Sequence, residues 1–196
     1  DLLTQQAARV SPGSDGVISL PYMMGERSPL WHTNARGVLF GLSLATSRGA
    51  IIRAILEGTA LAMLHNIQTA KEAGVTVKEL RSVGGGTRSA LWNQIKADIL
   101  GIPIQLPEAP IGAPFGDAML VGMGLGLFPD LLDTLKQIVQ IKTVYQPNPE
   151  HHAAYQAIFH LFRNLYAHLR EDFDDAASIY ATASTSWTLT GRSPLK

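Results

Sequence analysis

Residues 82–92 read Ser82-Val83-Gly84-Gly85-Gly86-Thr87-Arg88-Ser89-Ala90-Leu91-Trp92. Leu80 to Val83 is a short strand candidate, and three glycines follow it. Ser89 or Thr87 is the right type of residue to cap a helix whose buried stripe is Leu91, Trp92, Ile95 and Ile99. In such a strand–glycine–helix arrangement, missing side chains let a ligand approach the main chain. The helix start adds unpaired amides and the positive end of its dipole. Together they suit a phosphate or a nucleotide. The stretch is not a Walker loop, because no Gly-Lys-Ser/Thr follows. Nor is it the dinucleotide fingerprint, whose third glycine would fall on Ser89. On spacing alone, an ordinary tight turn fits these residues equally well.

Strands and helices alternate on both sides of this stretch. Upstream, Leu2 to Val10 reads as the end of a helix, Ser11 to Gly16 as a turn cluster, and Val17 to Leu20 as a strand ended by Pro21. Tyr22 to Gly37 is irregular, and Val38 to Leu42 is a second short strand. Ser47 caps a helix running to about Ala73, with Gly74 as its stop. That helix is apolar on most sides, so it should lie deep in the protein. Downstream, Gly101 stops the helix that follows the glycines. Ile102 to Leu106 is a strand and Pro107 to Pro114 a loop.

Phe115 to Leu127 reads as a helix despite Gly116, Gly122, Gly124 and Gly126. Each glycine costs roughly 1 kcal/mol against Ala, so close packing of another backbone is expected there. Asp130 to Val139 is an amphipathic helix and Ile141 to Val144 a strand. The last helix runs from Glu150 to about Asp174, with a stripe of Tyr155, Ile158, Phe159, Phe162, Tyr166 and Leu169. Beyond Asp175 the pattern dissolves, so residues 176–196 are expected to form an exposed or non-native tail. The alternation gives an α/β reading.

Composition narrows the function classes. The 196 residues carry 16 Lys plus Arg and 16 Asp plus Glu, and this balance argues against a nucleic-acid partner. Hydrophobic residues make up 46% and charged residues 16%, which is too apolar for a disordered chain. There is no Cys, which excludes a disulfide framework, a thiolate zinc site and a cysteine nucleophile. The apolar stretch Ala118 to Phe128 falls short of the ~20 residues a bilayer requires, and the first residues lack a secretory pattern. The expectation is a cytoplasmic protein without a membrane partner. Residue 1 is Asp and not Met, and Leu2 to Val10 already read as the end of a helix, so a piece of a longer protein is expected.

Other chemistry-bearing residues have structural readings. The loop Pro21 to Gly37 gathers Glu26, Arg27, His32, Asn34 and Arg36, which suits function, but most of its members read as a structured surface loop pinned by Glu26, Arg27 and Arg36 pairing with local carbonyls. Glu57-Gly58, inside the long helix, reads as a paired buried carboxylate next to a close helix approach. The six His residues show no ligand spacing beside a carboxylate, so no metal site is expected. Asp117 reads as an acid stabilising a helix start.

Taken in order, the segments resemble the C-terminal domain of the FGGY carbohydrate kinases from about Leu2 to Leu169. The resemblance rests on Leu20-Pro21-Tyr22 with Gly25-Glu26-Arg27-Ser28-Pro29, Asn34-Ala35-Arg36-Gly37 with Phe40-Gly41-Leu42, and Arg53-Ala54-Ile55-Leu56-Glu57-Gly58. It continues in Gly84-Gly85-Gly86 with Arg88-Ser89, in Ala97-Asp98-Ile99-Leu100-Gly101, and in Ala113-Pro114-Phe115-Gly116-Asp117-Ala118. The Gly-Glu-Arg-Ser-Pro loop looks most like the xylulokinases, and its continuation also resembles the gluconate kinase branch.

This resemblance implies an actin-like, ribonuclease-H-like fold of two domains closing around ATP and Mg²⁺, the architecture shared by sugar kinases, actin and chaperone ATPases. Residues 1–175 would be the later part of the second, nucleotide-binding domain. The sugar site and the catalytic aspartate would lie in the first domain, so no general base is expected in this chain. Gly84, Gly85 and Gly86 carry over as the nucleotide turn, with the amide of Gly86 facing the phosphates. Several family members place Asn near the adenosine where this chain has Ala90. That departure leaves the base or ribose to main chain, to Ser89 or to Asn93. The expected partners are ATP or ADP and, through the other domain, a pentulose or related sugar, xylulose first. The alternative is a non-catalytic nucleotide switch of the same superfamily, or a dimerisation module in which Tyr22–Gly37 and the final helix form a homodimer surface.

Overall fold

The structure, a computed structural model, describes residues 2–108, 112–128 and 130–189. Helix α1 (Leu2–Ala8) leads through a turn at Ser14–Gly16 into β1 (Ile18–Leu20), and β2 (Val38–Phe40) returns antiparallel to it. Helix α2 (Arg48–Glu72) follows, then β3 (Leu80–Arg81), α3 (Ala90–Leu100) and β4 (Ile104–Pro107). Helices α4 (Ala113–Gly124) and α5 (Leu131–Ile138), strand β5 (Ile141–Tyr145) and helix α6 (Pro149–Leu189) complete the described chain. The second sheet has the order β3-β4-β5. β3 and β4 are parallel, joined through α3, and β5 runs antiparallel to β4. The chain is thus mixed α/β.

Local chemistry sets the helix ends. The Ser47 hydroxyl accepts from the Ala50 amide and starts α2, while Gly74 (φ 86°) lies just past its end. Gly101 closes α3 at φ 65°, a conformation glycine adopts without strain. Of the two caps expected for α3, Ser89 is the one used; its side chain accepts from the Trp92 amide.

Helices α2, α3 and α6 enclose the core with β1. Leu20, Tyr22, Leu61, Ile95, Ile99, Tyr155 and Phe162 are almost completely buried. α2 is long and apolar enough by composition to cross a membrane, but it packs against α1, α3 and β1 and holds a buried ion pair. Arg53 Nε donates to Glu57 Oε1 at 2.7 Å. Glu57 also accepts from the Tyr155 hydroxyl at 2.6 Å, from the Ser14 hydroxyl at 2.8 Å and from the Gly13 amide. Arg53 reaches the Val10 carbonyl as well. The structural reading of Glu57 therefore holds, and the cluster ties the α1–β1 turn and α2 to α6. Burial, and then the charge of Glu57, raises the Tyr155 phenol above its ordinary range.

Several expectations change. A Cβ at Gly58 would collide with the Ser19 carbonyl, so a strand, not a helix, makes the close approach. Among the described residues no backbone packs on the glycines of α4. Gly116 and Gly124 face open space, Gly122 makes room for the ring of Phe128, and Gly126 takes φ 72° beyond the helix end. α4 begins at Ala113, which places Asp117 beyond the first turn, where a dipole effect has faded. α6 runs past Asp175 to Leu189, and residues 190–196 of the expected tail lie outside the described residues. The loop 21–37 is pinned largely by its own groups. Arg36 donates to the carbonyls of Thr33 and Ala35, and the backbones of Glu26 and His32 pair. Its tip is also fixed to α6, where His32 meets the Tyr166 hydroxyl at 2.9 Å and Asp174 at 3.1 Å.

Candidate nucleotide site

The parallel strands β3 and β4 stop at the same edge, with Leu80 opposite Ile104 and Arg81 opposite Gln105. In open α/β sheets, ligand crevices form at the carboxyl ends of such strands. Here a cavity of about 510 Å³ opens at that edge. Its walls are Ser82 to Gly85, Thr87 and Arg88 after β3, and Leu106 to Glu108 at the end of β4. Gly112, Pro114 and Phe115 close it from the start of α4, and Lys142 and Thr143 from β5.

The glycines form a 3₁₀ turn over Gly85–Arg88. Gly84 has φ 83° and ψ −165°, a region essentially closed to other residues. Thr87 closes the turn on the Gly84 carbonyl, through its amide at 3.2 Å and its hydroxyl at 2.7 Å. The amides of Gly85 and Gly86 precede that first closing bond, where no earlier turn offers an acceptor. A Cβ at Gly84 or Gly85 would meet nothing within 4 Å, so both present bare main chain to the cavity. Gly86 differs, since a Cβ there would stand 2.8 Å from the Trp92 ring.

A polar scaffold holds the turn from behind. The Asn93 side chain is completely buried and donates to the Thr87 carbonyl at 2.9 Å. The Trp92 indole donates to the Thr59 hydroxyl at 3.1 Å, linking the turn to α2. Lys96 donates to Ser82 Oγ and Asn93 Oδ1 and lies 4.3 Å from the Trp92 ring centre. Burial lowers the Lys96 pKa.

The five residues singled out in the sequence thus fall into two groups. Gly84 and Gly85 line the cavity. Gly86, Ser89 and Asn93 sit around the turn, as packing surface, helix cap and buried anchor. Ala90 is exposed beside them. Phe115, Glu108 and Lys142 were not foreseen as wall residues. Lys142 is the extra residue of a bulge, because Leu106 pairs with Thr143 while Pro107 pairs with Ile141. Bulges re-aim side chains at sheet edges, and five alternating residues give no local sign of one.

The profile of the FGGY family of carbohydrate kinases, C-terminal domain, matches residues 1–125. A xylulose kinase of Bacillus subtilis is 31% identical over 169 residues, covering 86% of this chain and 34% of its own length. A gluconokinase of the same organism is 31% identical over 182 residues, covering 90% of this chain and 34% of its own length. Among solved structures, the xylulose kinase of Rhodospirillum rubrum superposes with a TM-score of 0.77 at 35% identity, over 88% of this chain and 34% of that one. The chain spans about a third of the length of the relatives it matches. The fold is that of the actin-like ATPases.

Proposed function

The chain belongs to the FGGY family of carbohydrate kinases, as part of its C-terminal domain, and on that premise we propose that it is the nucleotide-binding portion of an ATP-dependent sugar kinase. The observation that carries the reading is the pair of open-faced glycines, Gly84 and Gly85, over a cavity at the carboxyl ends of β3 and β4. A volume of about 510 Å³ lies within the range of small-ligand sites. Gly84 to Gly86 offer main-chain donors to the phosphates, held in shape by Ser89, Asn93 and Trp92. Arg88 and Lys142 add positive charge at the cavity wall, and Val83, Pro107 and Phe115 add apolar surface for the base.

The reaction proposed for the complete enzyme is in-line transfer of the γ-phosphoryl group of ATP to a sugar hydroxyl. In such reactions the protein mainly positions the reactants and neutralises charge. Mg²⁺ supplies charge neutralisation between the phosphates when bound. Glu108 is the one carboxylate among the cavity-lining residues described, and magnesium in such sites is held largely by substrate phosphates. The general base is proposed to lie outside this chain, and so is the sugar site.

Relatives acting on xylulose and on gluconate support a pentulose or sugar acid as substrate, with xylulose placed first by the Gly25–Pro29 loop. Both relatives are named as kinases, which favours this reading over a nucleotide switch or a dimerisation module.

Two measurements test it. Calorimetric titration of the 196-residue chain with ADP should show one site, and its absence overturns the nucleotide reading. With ATP, Mg²⁺ and D-xylulose the same chain should form no sugar phosphate above a blank, and turnover would refute the placement of the base elsewhere.

A further inference from the structure

Lys96 is 7% exposed. Among the described residues no carboxylate lies within 4 Å of its ammonium. Its partners are the Ser82 hydroxyl and the Asn93 carbonyl oxygen, each at 3.4 Å, and the Trp92 face at 4.3 Å. All three are neutral, and both hydrogen bonds are long. A buried cation is expensive to keep charged unless an opposite charge compensates it, and here burial does lower the pKa. Ser82, one of its two hydrogen-bond partners, is itself a wall residue of the cavity. Among the described residues no compensating charge stands beside it, and through Ser82 it adjoins the wall of the cavity.

We propose that Lys96 is the buried countercharge for the anionic end of a nucleotide seated against Gly84 and Gly85, acting across Ser82 without touching the ligand. The inference rests on the nucleotide reading of the cavity. It makes Lys96 a positioning residue with an electrostatic role, and it explains why a lysine occupies a buried helical position that Met or Gln would fill at lower cost. Two effects converge at this side chain. Its contact with Asn93 steadies the Thr87 carbonyl and so the shape of the turn. Its charge favours anions on the far side of the turn. Only the second effect discriminates between ligands of different charge.

The test compares ADP with adenosine by calorimetry on the 196-residue chain. Lys96→Met should weaken ADP about tenfold and leave adenosine within about twofold of wild type. Lys96→Arg, which keeps the charge, should hold ADP within about threefold. A Lys96→Met chain that binds ADP like wild type overturns the inference, and so does one that loses ADP and adenosine equally. A second measurement needs no folded variant. In the wild-type chain labelled with ¹⁵N-lysine, the Lys96 Nζ resonance should move with ADP and stay in place with adenosine; no movement under ADP overturns the proposal. If the wild-type chain binds neither ligand, the nucleotide reading itself falls and the inference with it. ADP binding by wild type together with an indifferent Lys96→Met removes the inference alone.

Discussion

Gly86 lies against the indole of Trp92 so closely that a Cβ at position 86 would stand 2.8 Å from the ring. The same indole is tethered to Thr59 of α2 at 3.1 Å, so it has little room to retreat. The α-carbon of the third glycine therefore packs against the ring, while the first two glycines are open to the cavity. Gly86→Ala should force the ring or the turn to shift, costing about 1–3 kcal/mol as overpacking. Urea denaturation would show the lost stability, and a change in tryptophan emission would mark the displaced ring. A variant with unchanged stability and emission would show that the contact is slack.

Gly85 provides the complementary case. It has open space around its Cβ position and no positive φ, so a side chain there should not strain the fold. Gly85→Leu should project into the cavity, keep the denaturation midpoint close to wild type, and abolish ADP binding by calorimetry. Retained binding at wild-type affinity would mean that the nucleotide sits elsewhere.

These two glycines show how far the sequence carries. Helix ends were legible wherever a cap or a stop is local chemistry, as at Ser47, Ser89, Gly74 and Gly101. The strand–glycine–helix order also gave the place of the cavity. What each glycine faces was not legible, because that depends on Trp92 six residues on and on the ends of β4 and β5, distant in sequence. The bulge at Lys142 and the burial of Lys96 are set by strand pairing and helix packing, and neither leaves a trace in the spacing of neighbouring residues. Glu57 was legible as a buried carboxylate in need of a partner. Arg53 four residues earlier was in reach of that reading, but Tyr155 and Ser14 arrive only through the fold.

The Glu57 cluster yields a stability prediction. Arg53 and Glu57 are 5% and 2% exposed, and removing one charge of a buried pair leaves the other uncompensated. Glu57→Gln should cost about 3–5 kcal/mol. Tyr155→Phe, which deletes a donor at 2.6 Å to the carboxylate, should cost less, about 1.5–3 kcal/mol. Urea midpoints of the two variants would check the ranking, and a smaller loss for Glu57→Gln than for Tyr155→Phe would contradict it.

His65 makes stability depend on pH. It packs edge-on against Phe159 with ring centres 6.1 Å apart, and burial, then the charge of Arg163, lowers its pKa below 6.5. The unfolded chain therefore binds a proton at a higher pH than the folded one. Between the two pKa values the unfolded state carries the extra proton, so stability rises with pH across that window. The contribution of His65 is complete above about pH 6.5, the ordinary histidine value, and is lost as pH falls through the folded-state pKa. Urea midpoints measured from pH 7 down to pH 5 should fall, and the fall should be smaller in His65→Leu, which has no proton to gain. Equal slopes in the two proteins would show that the ring is as free to charge in the folded state as in the unfolded one.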